Sequence, residues 1–286
     1  MFAAMKNDAS PVPTITSRPI ARGADWSIGE VVCRAGPQTR PYEERHMRVS
    51  IAAVVAGSFD YRGDAGRALL YPGSLLLGNA GTCFECGHKH STGDRCIAFH
   101  YEPALFAEIA ASAAGSQHFR FNAAMLPAMP ELLPTLVEIE ALNESGRRIA
   151  GEALAIRLAE RVGETMSGAA SSRATPSPGD ARRVSTVLRF IEQNADEAID
   201  LAQLAAMAAM SKYHFLRVFR RTTGLTPYKF LLGVRMRRAA IKLATSNAPV
   251  SEIAFNAGFC DLSTFNNRFR DLFGATPSRF RQREAA

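Results

Sequence analysis

A chain of 286 residues exceeds the usual size of one compact domain and suggests two. Its hydrophobic content of 47% is ample for buried cores, its charged content of 21% excludes general disorder, and no apolar run reaches the roughly 18 residues of a membrane span. The net charge of +7 is unevenly placed: from Arg182 onward 17 Lys and Arg face 8 Asp and Glu, a balance of +9, and everything before balances at −2, so only the C-terminal third is suited to a polyanion.

Residues 1–20 (MFAAMKNDASPVPTITSRPI) lack the apolar core of a signal peptide and read as a flexible segment, with a cytoplasmic location expected. Five cysteines is an odd number, and in a reducing compartment they are better suited to free, metal-bound or reactive roles than to a disulfide framework. Residues 21–166 form the first expected domain. Between Trp26 and Tyr101, short apolar runs such as MRVSIAAVVAGSFDYR and ALLYPGSLLLGN are punctuated by Gly, Pro and Asp, which predicts a β-rich fold. The run from Gly66 through Pro72-Gly73 to Asn79 resembles the second motif of cupin barrels. In catalytic cupins that motif supplies a histidine ligand, but here Leu76 stands near its place and His46 is isolated upstream. The resemblance therefore implies a small β-barrel that binds rather than catalyses.

Immediately afterwards comes CFECGHKHSTGDRCIAFH (Cys83–His100), which holds three of the five cysteines and three of the six histidines. Read as a hairpin turning within residues 91–95, it places Cys86, His88 and His90 on one strand face and Cys96 and His100 on one face of the returning strand. Cys83 falls off that face. Cys83, Cys86, His88, His90, Cys96 and His100 are thus candidates for a soft-metal site (Zn or similar) or a thiol redox site. The bland alternative is a set of small core residues lining an organic-ligand pocket.

The stretches MPELLPTLVEIEALN and RRIAGEALAIRLAERVGETM have the apolar spacing of an amphipathic helical pair, expected either to dimerise or to pack on the barrel of a monomer. Residues 167–181, with SGAASSRATPSPGD at their core, read as an interdomain linker. Residues 182–286 are helical nearly throughout and contain a repeat. LAAMAAMSKYHFLRVFRRTTGLTPYKF (Leu204–Phe230) aligns with IAFNAGFCDLSTFNNRFRDLFGATPSRF (Ile253–Phe280), with one extra residue in the second turn. Each copy is a short helix, a tight turn, a second helix and a Gly-x-Thr-Pro stop, the units spanning about 200–223 and 250–273. Asp200, Ser211 and Asp261 are suitable N-caps, and Gly224 and Gly274 fit the C-terminal stops. Helical geometry sends Phe215, Val218, Phe219 and Thr222 to one face of the first long helix and Tyr213, Arg217 and Arg220 to the other. In the second it sends Phe265, Arg268, Phe269 and Leu272 inward and Ser263, Asn267 and Arg270 outward.

At these residues the chain resembles the AraC/XylS family of bacterial transcription regulators, over about Arg182 to Arg283. The fold class implied is a two-domain α+β protein: an N-terminal cupin-like β-barrel with a helical dimerisation pair, and a C-terminal all-α, homeodomain-like double helix-turn-helix. The resemblance implies double-stranded promoter or operator DNA as partner, RNA polymerase if the protein activates, a homodimer, an effector of unknown identity, no membrane, and a cytoplasmic, nucleoid-associated location. It places DNA contacts on Lys212, Tyr213, Arg217, Arg220, Arg221, Ser263, Asn266, Asn267 and Arg270. Arg217 is expected to read a guanine edge and Arg220, Arg221 and Arg270 to hold phosphates. Asn267 departs from the arginine common in the family, which shifts the expected preference from guanine to adenine. No catalytic residue is expected. Competing readings are a DNA-repair methyl acceptor built on Cys83 and Cys86, a cupin metalloenzyme with an accessory DNA module, and nonspecific DNA packaging.

Overall fold

The computed structural model describes residues 14–41, 43–88, 92–114, 119–145, 151–168 and 177–285. Among the described residues, ten strands make two sheets. β1 (Ile15–Arg22), β2 (Trp26–Cys33), β4 (Val49–Gly57), β7 (Leu75–Gly78), β9 (Asp94–Tyr101) and β10 (Met125–Leu126) form the larger one, in the order β1-β2-β9-β4-β7-β10. β3 (Glu43–Arg45), β5 (Phe59–Gly63), β6 (Gly66–Leu70) and β8 (Cys83–Gly87) form the smaller, in the order β3-β8-β5-β6. β1 begins at Ile15, so the last part of the segment expected to be flexible is a paired strand.

Alternation along the central strands explains three layers. Ile51, Ala53 and Val55 of β4 and Ile97, Phe99 and Tyr101 of β9 point to one side. There they meet α1 (Pro103–Ala114), α2 (Leu133–Ser145) and α3 (Gly151–Gly168). Ala52, Val54, Cys96 and Ala98 point to the other side and face Phe59, Tyr61 and Leu70 of the smaller sheet. Both faces of the larger sheet are covered, which is why its strands read as continuous apolar runs. The two sheets face each other, but among the described residues no strand pairing joins them into the closed barrel that the cupin motif suggested. At the outer edge, β1 carries Pro19 and a register shift between Pro19 and Ala21, features that block further pairing.

The helical pair α2–α3 packs within the chain. Leu154, Leu158 and Val162 of α3, with Leu136, Ile139 and Leu142 of α2, are buried against the sheet. The opposite stripe of α2, Leu133 and Val137, is buried against the C-terminal domain. None of the large exposed hydrophobic side chains of the described residues lies on either helix.

Of the expected linker 167–181, the described ends belong to α3 and to α4 (Pro178–Gln193), and residues 169–176 lie outside the described set. Then follow α5 (Leu201–Met207), α6 (Lys212–Thr223), α7 (Pro227–Thr245), α8 (Val250–Asn256), α9 (Leu262–Phe273) and α10 (Pro277–Ala285). No helix of the described residues is long and apolar enough to cross a membrane. α7 serves both helical units: Phe230, Leu231 and Val234 join the core of α4–α6, while Met236, Ala239, Ala240 and Leu243 join that of α8 and α9.

Candidate functional site

Each helix-turn-helix is built by local rules that the sequence states openly. Asp200 accepts from the Gln203 amide at 2.8 Å and starts α5, and Ser211 and Asp261 accept from the amides of His214 and Thr264 at 3.4 and 2.7 Å to start α6 and α9. Gly224 and Gly274, at φ of 78° and 68°, end α6 and α9 in the left-handed conformation that glycine adopts without strain. Two residues later Thr226 and Thr276 accept from Lys229 and Arg279 amides and start the next helix, with proline in its first turn. Gly-x-Thr-Pro therefore closes one helix and opens another.

The turns inside the two units differ. Ala209 adopts φ of 50° in the first, and Gly258 adopts φ of 85° at the matching place in the second. A Cβ on Gly258 would lie 2.8 Å from the Asp196 carbonyl oxygen, so glycine is required there for space as well as for φ.

These turns present α6 and α9 with aromatic residues inward. Phe215, Phe219, Phe265 and Phe269 are fully buried. On the outer stripe of α6, Lys212, Tyr213, Arg217 and Arg220 are exposed, Tyr213 at 88%. The Arg217 guanidinium lies 3.2 Å from His214 Nδ1. On α9, Ser263, Asn267 and Arg270 are exposed and Asn266 is half-buried. Arg270 donates to Asn267 Oδ1 at 3.3 Å, so the carbonyl group expected to read adenine is engaged within the helix. Arg221 does not project freely, since it pairs with Asp180 of α4 at 2.6 Å. Arg268, expected inside, is exposed, because its long side chain lets the charge reach solvent from the rim of the apolar face.

The arginines of α7 are structural. Arg235 donates to the carbonyls of Ala195 and Glu197 at 2.6 and 2.7 Å, Arg238 donates to the Glu192 carbonyl, and Arg237 is buried between Glu192 at 3.2 Å and Glu140 of α2 at 3.4 Å.

The second feature is a cavity of about 450 Å³ between the two sheets. Cys86, His88, Cys96 and His100 all line it, as strand alternation predicted. The hairpin reading is wrong. Cys86 is opposite Tyr61 in the smaller sheet, whereas Cys96 is opposite Val31 and Val54 in the larger, so β8 and β9 lie on opposite walls. The reason is that each strand finds better partners elsewhere: β9 is the central strand of the larger sheet, between β2 and β4.

Within the cavity the residues split into two groups. At one end His88 Nε2 lies 2.6 Å from Asp94 Oδ1, Cys96 donates to Asp94 Oδ2 at 3.2 Å, and Cys33 Sγ lies within 4.8 Å of the facing His88 and Asp94 atoms. Burial alone would lower the His88 pKa, but the bonds to Asp94 and Cys33 outweigh it and hold it up at about 9. Four residues along β9, about 13 Å away, His100 instead bonds Ser50 Oγ at 3.0 Å. His46 is at that second end, bonded to Tyr61 Oη at 2.9 Å and stacked on Phe84. Burial, reinforced by His100, lowers its pKa to about 4 against the opposing influence of Asp64. Cys83 opposes Arg45 and does not line the cavity that Cys86 lines, so the structure does not bring Cys83 and Cys86 together in one cluster. His90 lies outside the described residues. Cys33 and Asp94 were missed from sequence. Asp94 sat inside the quoted stretch but in its expected turn, and Cys33 is distant in sequence and enters only through its pairing with Asp94.

A family model for a helix-turn-helix domain matches residues 204–283. The transposon Tn10 TetD protein of Escherichia coli is 32% identical over 99 residues, 35% of this chain and 72% of that protein. The regulatory protein SoxS of Salmonella typhimurium is 30% identical over 100 residues, again 35% of this chain, and 94% of its own length is covered. An HTH-type transcriptional regulator of Bacillus subtilis, YbfI, is 28% identical over 198 residues, 68% of this chain and 70% of that protein.

Proposed function

The chain belongs to the AraC/XylS family of DNA-binding transcription regulators, and from that premise we propose that it is an effector-responsive activator reading two successive major-groove segments with α6 and α9. The observation that carries this reading is the duplicated unit: two recognition helices, each anchored by buried phenylalanines and each turning a polar stripe outward, joined by one rod. α7 has 19 residues and so a length of about 28 Å, on the scale of the roughly 34 Å turn of a duplex. The excess charge of +9 from Arg182 onward supplies the attraction to phosphate.

In this reading Tyr213, Arg217, Ser263, Asn266 and Asn267 face base edges, and Lys212, Arg220, Arg221 and Arg270 face phosphates. Arg221 gives up its pair with Asp180 on binding, and Arg270 releases Asn267. The effector enters the cavity between the sheets, and the protein acts as a homodimer beside RNA polymerase in the cytoplasm, without enzymatic chemistry. Paired half-sites favour a dimer because the second site is met at high effective concentration. Since α2 and α3 bury their apolar faces internally, a dimer contact through them would use their outward polar faces. Footprinting on genomic fragments is the test. A protected tract spanning two adjacent major-groove segments on one DNA face is expected, and equal affinity for a scrambled tract at fixed salt would refute sequence-specific reading.

A further inference from the structure

We infer that Cys33, His88, Asp94 and Cys96 hold one borderline-soft divalent cation of the zinc class, which ties the two sheets together at one end of the cavity. The four side chains come from separate parts of the fold. Cys33 ends β2, Asp94 and Cys96 belong to β9 beside it in the larger sheet, and His88 follows β8 of the smaller sheet. The Cys33, His88 and Asp94 ligand atoms lie within 4.8 Å of one another, and bonds of about 2.0–2.3 Å to a tetrahedral ion put ligand atoms about 3.3–3.8 Å apart, so uptake draws the three side chains together by small rotations. Cys96 Sγ lies outside that three-residue group but donates to the second Asp94 carboxylate oxygen at 3.2 Å, and we assign it as the fourth ligand on that contact. His88 and Asp94 are almost entirely enclosed, with side-chain exposures of 3% and 7%. An ion would replace the hydrogen now between them.

The donor set narrows the occupant. Two thiolates exclude magnesium and calcium, which take oxygen ligands, and a set of two sulfurs, one imidazole nitrogen and one carboxylate oxygen suits tetrahedral zinc. Cys86 lines the same cavity from the opposite sheet and is the alternative second sulfur. Neither the sequence spacing nor the helix-turn-helix family match, which begins at residue 204, assigns such a site. The inference stands on the N-terminal sheets alone, so its failure leaves the DNA-binding reading intact, and failure of the footprint leaves this site intact.

The test is cobalt titration of the reduced, chelator-stripped full chain. One equivalent per chain is expected, with thiolate-to-cobalt charge transfer, intense tetrahedral absorption and displacement by zinc. Cys33→Ser and Asp94→Asn should each weaken binding by roughly tenfold or more, whereas Cys83→Ser and Cys260→Ser, at thiols outside the cluster, should bind as the parent does. Cys33 is only half-buried, so its serine variant tests the site even where the buried Cys96→Ser variant fails to fold. Unfolding of each metal-free variant confirms that it folds. Absence of the charge-transfer band, uptake well below one equivalent, or unchanged binding in Cys33→Ser would overturn the site. So would conversion of the cluster by mild oxidant to a disulfide in a protein that takes up no metal.

Discussion

Tyr71, at the end of β6 in the N-terminal domain, donates its phenolic hydrogen to the carbonyl oxygen of Thr223, the last residue of α6, at 2.7 Å. Both residues are fully buried, and Tyr71 also packs edge-on against Phe230 of α7. The domain with the cavity thus grips the C-terminal end of α6. Tyr71→Phe keeps the packing and removes the hydroxyl, and should lower stability by about 1–3 kcal/mol. Denaturant unfolding measures it, and no loss would show that the contact contributes nothing net.

Arg237 should be far less forgiving. Its guanidinium is enclosed between Glu140 and Glu192. Arg237→Met leaves two carboxylates facing each other in a confined space and should cost about 3–5 kcal/mol. Adding Glu140→Gln and Glu192→Gln should recover much of that loss, a recovery read from the same unfolding curves.

The two turn residues make an opposed pair. Ala209→Gly relieves a left-handed alanine and should stabilise by up to about 1 kcal/mol, the relief being offset in part by a more flexible unfolded chain. Gly258→Ala introduces both an unfavourable φ and a collision with the Asp196 backbone, and should destabilise by more than about 2 kcal/mol. Thermal melts of both variants check the signs.

On the DNA-binding side, Arg217→Ala should lose about 1–3 kcal/mol at one base position and relax selectivity there. Arg220→Ala should weaken all sequences alike and reduce the salt-dependence slope by about one unit. Titrations against a set of singly substituted operators at two salt concentrations separate the two behaviours.

His46 gives a pH dependence with a definite sign. Its folded pKa of about 4 lies below the ordinary 6.5. Its charged and titratable neighbours are His100, Asp64 and Tyr61. Between those values the unfolded chain binds a proton that the folded chain refuses. The stability from neutral His46 is therefore complete above about pH 6.5 and is lost as pH falls toward 4, by at most about 3 kcal/mol. His46→Gln should flatten that part of the pH profile of unfolding free energy.

The C-terminal half was legible because its rules are local. Caps at Ser211 and Asp261, stops at Gly224 and Gly274 and the phenylalanine stripes depend on residues three or four apart. Arg268 and Arg221 escaped for lack of tertiary information: one reaches solvent from the rim, and the other meets Asp180, 41 residues away. In the N-terminal half, alternation found which side of each strand faces inward, so Cys86 and His88, and Cys96 and His100, were rightly paired on inward faces, but those faces meet across a cavity and not across the expected hairpin. Strand partnership was not legible. Consecutive β8 and β9 fall in different sheets, and Cys33 joins the cluster from β2, 61 residues before Asp94 in the chain.

Because Leu133 and Val137 of α2 complete the core around Met236, Ala240 and Phe269 while Leu136 and Ile139 complete that of the sheet, one helix is common property of both halves. A reader fragment cut out at residue 177 would carry a raw greasy wound where α2 had been. Grafting this reader onto a foreign sensor would accordingly demand that the donor bring its own α2 substitute, matched in shape to α7.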